Sequence, residues 1–273
     1  MLRALFLIAG LGLLIYLVLA LGAGEILGLL ARIGWGFVPI TALYAVHQGL
    51  RARALSLCVT RPGAVRVIDA FAIRLSGEAI RFLTSTGPFL AEPAKALLLG
   101  RRGVAISEGF AATIAEYLGY TFVSAVMLAG AMAYLLARVD LGRPLGDTAV
   151  VLLVVSVVFL VVAAVAIARR IYLIGGVLAW LGRLPVVGRR LRLEAPAVRR
   201  TEDALLGILR ERPGRFARIL LVETLAHAVL VVELWAILWL SGVTAAFDRA
   251  LVLESAGKFT GLAFFFIPGQ VGA

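Results

Sequence analysis

Residues 148–168 read Thr148-Ala-Val-Val-Leu-Leu-Val-Val-Ser-Val-Val-Phe-Leu-Val-Val-Ala-Ala-Val-Ala-Ile-Ala168, an apolar run without a charged side chain. About 20 apolar residues are enough to cross the hydrocarbon core of a bilayer as a helix. The run lacks the alternation of polar and apolar residues that is typical of a membrane barrel strand. Because a segment in lipid must pair its own backbone polar groups, this run predicts a transmembrane helix.

The rest of the chain has the same apolar character. Of its 273 residues, 62% are hydrophobic and 16% are charged, and the mean hydropathy is +1.02. A soluble domain of this length cannot bury so much apolar surface in one core. We therefore predict an all-α, polytopic integral membrane helical bundle that forms a single transmembrane domain over residues 1–273. Its other spans are predicted at 4–24, 33–50, 106–137, 216–240 and 250–267.

The net charge of +11 first suggests a nucleic-acid partner. However, the basic residues flank the apolar spans instead of gathering on one folded face with polar or aromatic readers. The positive-inside rule and anionic lipid headgroups explain this distribution, so no nucleic acid is expected. The single Cys58 and the two histidines, His47 and His227, provide no framework for a disulfide or a metal site. We expect neither a cofactor nor a metal.

The arginines also predict an orientation. We place the chain in the cytoplasmic (inner) membrane with its N-terminus in the cytoplasm and the run at 4–24 retained as a span. If 67–100 is a re-entrant hairpin of two half-helices, most of the 27 basic residues lie on the cytoplasmic side, including those of a basic loop at 182–215. A single crossing at 67–100 would move that loop outside, against the charge bias. In the favoured arrangement the outside segments hold only Arg32, Arg138, Arg143 and Arg249.

The hairpin at 67–100 contains charged residues in apolar surroundings. Gly87-Pro88 ends one predicted helix and Glu92-Pro93 begins another. Ionisable groups on broken helices at membrane depth indicate a functional site, although an internal salt-bridge network or charges reaching the interface also fit. Arg74, Glu78 and Arg81 follow i, i+4, i+7 spacing and so share one helical face. The candidate substrate-binding residues here are Arg74, Glu78, Arg81, Thr84, Glu92 and Lys95.

A second group lies late in the chain, where Lys258 and Thr260 precede Phe264-Phe265-Phe266 and then Pro268-Gly269. The order of a base, a threonine, an apolar stretch and a Pro-linked break loosely repeats the first group. Two such broken segments point to a site between pseudo-symmetric repeats. Glycine and proline are common in membrane helices, so the similarity of the two groups also fits a chance match.

Three further ionisable residues fall within predicted spans. Glu223 and His227 are four residues apart and share one helical face. They fit a proton or coupling-ion site, or a helix–helix hydrogen-bond pair. Glu116 carries the same ambiguity. No nucleophile–base arrangement appears in the sequence, which disfavours an enzyme.

Several motifs resemble those of the transmembrane region of lysylphosphatidylglycerol synthases and their stand-alone, flippase-like relatives. They are Gly77-Glu78-Ala79, Phe82-Leu83-Thr84, Glu92-Pro93, Lys95-Ala96-Leu97-Leu98-Leu99 and the closing Pro268-Gly269-Gln270-Val271-Gly272-Ala273. The closing motif normally runs on to an acidic residue, so we expect a longer protein.

The sequence departs from the family pattern at several positions. Arg81 stands where asparagine is expected, Ser85 where proline is expected, and Leu90-Ala91 replace paired glycines. These changes are expected to alter the headgroup preference or to disable the site. We expect a stand-alone relative, without the soluble aminoacyl-transferase domain of the two-part synthases.

The resemblance implies movement of lipids between leaflets. We expect a lipid translocase or lipid-binding module for an anionic or modified headgroup, with membrane lipids and a lipid-modifying enzyme as partners. In this hypothesis Arg81 and Lys95 hold phosphate, and Glu78 and Glu92 orient them or bind a cationic group. Lys258 and Thr260 close the site from the other half. The alternative is an ion-coupled secondary transporter of a small anion, with Glu223 and His227 at the proton site.

Overall fold

The structure, a computed structural model, describes residues 19, 22–61, 63–83, 88–169, 195–211 and 213–263. Within these ranges the chain is α-helical and contains no strand, so the all-α prediction is confirmed. A short 3-10 helix at Gly34–Gly36 joins the first two helices, and a π turn at Gly207–Glu211 follows the seventh. The helices are α1 (Ala23–Ile33), α2 (Phe37–Cys58), α3 (Val67–Leu83), α4 (Pro88–Gly100), α5 (Ile106–Arg138), α6 (Arg143–Ala168), α7 (Ala195–Leu206), α8 (Pro213–Leu240) and α9 (Phe247–Ala263).

Some of the predictions fall outside the described residues. They concern nearly all of the span at 4–24, Thr84 and the Gly87 break, residues 182–194 of the basic loop, the side chain of Thr260, and the closing motif at 268–273.

Among the residues that the structure describes, three helices, α5, α6 and α8, are long and apolar enough to cross a membrane. Helix α6 is the clearest, because its apolar residues are exposed around most of its circumference, including Val151, Val154, Val158 and Val161. An apolar surface of this extent needs lipid or protein to cover it. The protein is therefore an integral membrane protein.

Replacing Val154 with arginine is expected to make membrane insertion of α6 less favourable by about 2.5–3.5 kcal/mol, because this position lies near the centre of the helix and is exposed. Glycosylation mapping of insertion measures the effect. The control is Val139→Arg, directly after the end of α5 and of similar exposure (46% against 53% for Val154). Equal costs at the two positions would contradict a lipid-facing α6.

Helix α5 occupies the centre of the bundle. It packs against α2, α4, α6, α7, α8 and α9, while α2 lies along α8 and α3 packs on both α2 and α4. An apolar core forms where the ends of α2 and α4 meet the start of α5 and α8. Its fully buried side chains include Leu55, Cys58, Leu99 and Ile219. This core closes one end of the bundle, and the buried polar residues lie beside it.

Arg215, at the start of α8, holds the end of α2. Its guanidinium donates to the backbone carbonyls of Leu57, Val59 and Thr60, and the distance from Nε to the Leu57 oxygen is 2.5 Å. The last carbonyls of a helix have no partner within the helix and carry partial negative charge, so an arginine there is stabilising. One residue of the predicted basic loop thus joins two helices.

The segment predicted as a hairpin contains two helices, α3 and α4, that pack together. Helix α4 ends at Gly100, and Gly103 makes the turn into α5 with φ of 82°, a conformation that glycine adopts without strain. The depth of α3 and α4 in the membrane, and their re-entry on one side, remain predictions.

Candidate functional site

Glu116 of α5 is the centre of a buried group of charges. Its side chain is fully buried, and its Oε1 lies 2.6 Å from Arg51 Nη2 and 2.5 Å from Arg74 Nη1. Its Oε2 lies 3.2 Å from Lys95 Nζ. The three bases come from α2, α3 and α4, so this one carboxylate joins three helices to α5. The ion pairs continue on both sides to form what we call the charge cluster: Arg51, Arg74, Glu78, Arg81, Glu92, Lys95, Glu116 and Glu223.

One end of the charge cluster is open. Glu78 lies between Arg81, at 2.6 Å, and Arg74, at 3.7 Å, and Glu92 lies 2.8 Å from Lys95. The side chain of Arg81 is 35% exposed and those of Glu78 and Glu92 are 17% and 14% exposed. The open end therefore presents both signs of charge from two neighbouring helices, α3 and α4.

The other end of the charge cluster is closed. Glu223 of α8 is fully buried, and its Oε2 lies 3.4 Å from Arg51 Nε. Neither carboxylate oxygen of Glu223 has a hydrogen-bond partner among the residues whose positions the structure gives. The Arg51 guanidinium also stacks on Tyr120, 3.7 Å from the ring centroid. Arg51 thus connects the two buried carboxylates, Glu116 and Glu223.

Gly77 explains how Lys95 reaches Glu116. A Cβ at Gly77 would lie only 2.6 Å from Lys95 Cγ. The missing side chain on α3 gives the lysine stem of α4 room to pass. At Gly109 of α5 a Cβ would lie 3.0 Å from the Ala96 carbonyl oxygen, so α4 and α5 are also in close contact. The glycine of the Gly77-Glu78-Ala79 motif therefore has a packing role in the charge cluster.

Gly77→Ala is expected to lower the free energy of unfolding by about 1–3 kcal/mol, because the added methyl group meets a buried lysine stem. Thermal unfolding in detergent measures the change. Gly130→Ala is the matched control, since a Cβ there would meet nothing within 4 Å, and alanine is the better helix former. A Gly77 variant as stable as the Gly130 variant would show that α3 and α4 do not approach so closely.

Two residues that we did not single out from the sequence belong to this site. Gln48 Oε1 accepts from Arg74 Nε at 3.3 Å, and Gln48 Nε2 donates to the Tyr44 hydroxyl at 2.8 Å. The second is Arg51, which follows the predicted span at 33–50 and belongs to the basic residues that the charge bias places on the cytoplasmic side. The signal was present, because Tyr44, Gln48 and Arg51 follow i, i+4, i+7 spacing and give α2 a polar face.

Most of the candidate residues that the structure describes come together. The charge cluster includes Arg74, Glu78, Arg81, Glu92 and Lys95 from the hairpin, and Glu116 and Glu223 from the proposed ion-coupling set. Lys258 lies beside the charge cluster, since its Nζ is 2.8 Å from Glu254 Oε1 and 5.6 Å from the centroid of the Tyr120 ring.

His227 joins α5 to α8. Its Nδ1 lies 2.8 Å from the backbone oxygen of Glu223, and its Nε2 lies 2.8 Å from Ser124 Oγ. Because a carbonyl only accepts, Nδ1 carries the proton, and the serine hydroxyl donates to Nε2. His227 therefore contacts the main chain of Glu223, while the Glu223 carboxylate points to Arg51.

Among the residues that the structure describes, no group of three His, Cys, Asp or Glu side chains is arranged to hold a metal ion. The charge cluster alternates acids and bases, so most of its carboxylates already face a cation. The arrangement suits recognition of a charged organic group through ion pairs and charge-assisted hydrogen bonds.

Long apolar helices around a buried, branched network of ion pairs define the class: an α-helical integral membrane protein with a charged site between its helices. The chain belongs to the family described as the lysylphosphatidylglycerol synthase TM region, whose family model matches residues 3–273. The family predicted from the motifs between Gly77 and Leu99 is thereby confirmed, and it links the protein to the handling of membrane lipids. No curated protein and no solved structure matches the chain.

Proposed function

We propose that this protein binds the headgroup of an anionic or modified phospholipid at the open end of the charge cluster and moves the lipid between leaflets. The observation that carries the proposal is the mixed charge of that end. Arg81, Glu78 and Glu92 are partly exposed there, with Lys95 directly behind Glu92. Membership of the family supports lipid as the class of substrate.

The two signs of charge match two parts of a headgroup. A phosphate accepts charge-assisted hydrogen bonds from arginine and lysine, and the fork of an arginine fits two phosphate oxygens. An ammonium group on the same headgroup pairs with a carboxylate. A phosphatidylglycerol that carries an amino acid offers both groups, and plain phosphatidylglycerol offers only the phosphate. Arg81 and Lys95 take the phosphate in this proposal, and Glu78 and Glu92 take the ammonium.

A purely structural role for the ion pairs is the competing explanation. Buried ion pairs give little net stability, because desolvation of the charges offsets their attraction. Ionisable residues within a membrane protein therefore more often mark a substrate or ion pathway. Side-chain exposure increases along the charge cluster, from the fully buried Glu223 and Glu116 to Arg81, which is 35% exposed. This gradient fits a binding site that a ligand enters from one end of the cluster.

The test uses proteoliposomes of the full-length protein that contain fluorescent phosphatidylglycerol, lysyl-phosphatidylglycerol, phosphatidylethanolamine or phosphatidylcholine. A membrane-impermeant quencher reports the lipid that reaches the outer leaflet. We expect faster exchange for the two glycerol-based headgroups than for phosphatidylcholine. If no headgroup moves faster than in protein-free vesicles, although the protein is folded and inserted, translocation is excluded.

The same vesicles distinguish the alternative function. Transport of a small anion predicts that inorganic phosphate accumulates inside when a proton gradient is imposed, while no lipid exchanges. Lipid exchange without phosphate uptake supports the proposed function. In this proposal the membrane is the inner membrane, the N-terminus is cytoplasmic, and a lipid-modifying enzyme supplies the substrate.

A further inference from the structure

Glu223 is the least compensated carboxylate of the charge cluster. Glu116 faces three basic groups within 3.2 Å, and Glu78 and Glu92 each lie within 2.8 Å of one. Within the described part of the chain, Glu223 has a single ion-pair contact, at 3.4 Å, and neither of its oxygens is hydrogen-bonded. Its side chain is also fully buried. Because little stabilises its negative charge, Glu223 is the carboxylate of the charge cluster that we expect to bind a proton first when another negative charge enters.

The charge cluster is neutral when all its members are ionised. It contains four basic residues, Arg51, Arg74, Arg81 and Lys95, and four acidic residues, Glu78, Glu92, Glu116 and Glu223. The neighbouring Lys258 and Glu254 form a pair of their own, so they do not alter this balance. A phosphate that enters adds negative charge to a buried region, which is costly unless a positive charge arrives with it.

The other groups that face Glu223 are less suitable acceptors of that proton. Arg51 carries its proton at all ordinary pH values, and Glu116 is held by three cations. His227 uses Nδ1 for the Glu223 carbonyl and Nε2 for Ser124. The charged groups that act on the Glu223 carboxylate are Arg51 of α2, Arg74 of α3, Lys95 of α4 and Glu116 of α5. Further titratable groups contact its neighbours: His47 lies 3.1 Å from the Ala226 oxygen, Tyr120 stacks on Arg51, and Lys258 lies 5.6 Å from the Tyr120 ring.

We propose that Glu223 binds a proton when a phosphate-bearing headgroup occupies the charge cluster, so that the protein takes up the anionic lipid and a proton together. The proton converts the Glu223 carboxylate to a carboxylic acid, so that Arg51 pairs with Glu116 alone. Lys95, which also contacts Glu116, is then released toward the phosphate at the open end. By linkage, protonation of Glu223 strengthens binding of the lipid by the same factor by which the bound lipid strengthens proton binding at Glu223. The inference rests on the proposed function and identifies what supplies the compensating charge.

The test measures protons taken up when the full-length protein in detergent binds short-chain phosphatidylglycerol in weakly buffered solution. We expect about one proton per bound lipid and an affinity that falls about tenfold for each unit of pH increase. Glu223→Gln keeps the size and polarity of the side chain, and we expect it to bind lipid with no proton uptake and no pH dependence.

Glu233→Gln is the matched control. It changes another poorly satisfied carboxyl of α8 outside the charge cluster, and we expect wild-type proton uptake. Lipid binding by the wild type without proton uptake, or uptake that persists in Glu223→Gln, overturns the inference and leaves the proposed function intact. The wild-type proton count decides the question even if Glu223→Gln does not fold. If the folded wild type binds no lipid at any pH, both proposals fail.

Discussion

Replacing Glu116 with leucine is expected to destabilise the protein by about 3–5 kcal/mol, the largest effect of any single substitution proposed here. The change removes the one carboxylate shared by Arg51, Arg74 and Lys95 and leaves these bases buried with excess positive charge. Four helices lose a common contact at the same time. Denaturant titration in detergent, followed by circular dichroism, measures the loss.

Two comparisons show whether charge is the cause. Glu108 lies on the same helix, is partly exposed and accepts one hydrogen bond from the Thr60 amide at 2.7 Å, so Glu108→Leu should cost about 1 kcal/mol. Adding Arg74→Met to Glu116→Leu removes one uncompensated charge and should recover part of the loss. If Glu116→Leu is as stable as the wild type, the four helices do not meet at this carboxylate.

Lys95→Met is expected to slow lipid exchange by roughly tenfold to a hundredfold in the proteoliposome assay. A hydrogen bond to a charged group contributes about 1.5–3 kcal/mol, and each 1.4 kcal/mol is a factor of ten. Methionine keeps an unbranched stem that passes Gly77, so the packing of α3 on α4 is retained while the ammonium is lost. Both Glu92 and Glu116 lose a partner, at 2.8 and 3.2 Å.

The control for Lys95→Met is Arg102→Met. Arg102 also forms an ion pair, 2.9 Å from Asp69, but its side chain is 50% exposed and lies outside the charge cluster. An exposed pair of this kind contributes about 0–1 kcal/mol, so exchange should change little. Size-exclusion profiles of both variants confirm that they are folded. Equal exchange rates for the wild type and a folded Lys95→Met protein would remove the lysine from the headgroup site.

Much of the candidate site could be predicted from local sequence. The i, i+4, i+7 spacing of Arg74, Glu78 and Arg81 placed them on one face of α3, and the structure pairs Glu78 with both arginines. Glu92 and Lys95 pair in the same way within α4. Neighbours on one helical face must meet wherever the helix packs, so these pairs follow from spacing alone.

The role of Arg51 could not be predicted in this way. Its basic side chain at the end of an apolar stretch fits the positive-inside rule, and its spacing from Tyr44 and Gln48 indicates a shared polar face of α2 without identifying a partner on another helix. In the structure it is almost fully buried, stacks on Tyr120 and joins two carboxylates of other helices. The histidine of the Glu223–His227 pair likewise bonds to a serine of α5 that has no sequence pattern to mark it.

Hydropathy and helical periodicity act over short stretches of chain, so local sequence is enough to predict an α-helical membrane protein and the charges that share one face of α3. The packing of the helices, in contrast, makes Glu116 the common partner of Arg51, Arg74 and Lys95. These residues are 65, 42 and 21 positions from Glu116. Contacts over such separations depend on which helices pack together and how closely. That in turn depends on small residues such as Gly77 and Gly109, whose significance appears only when a second helix lies against them.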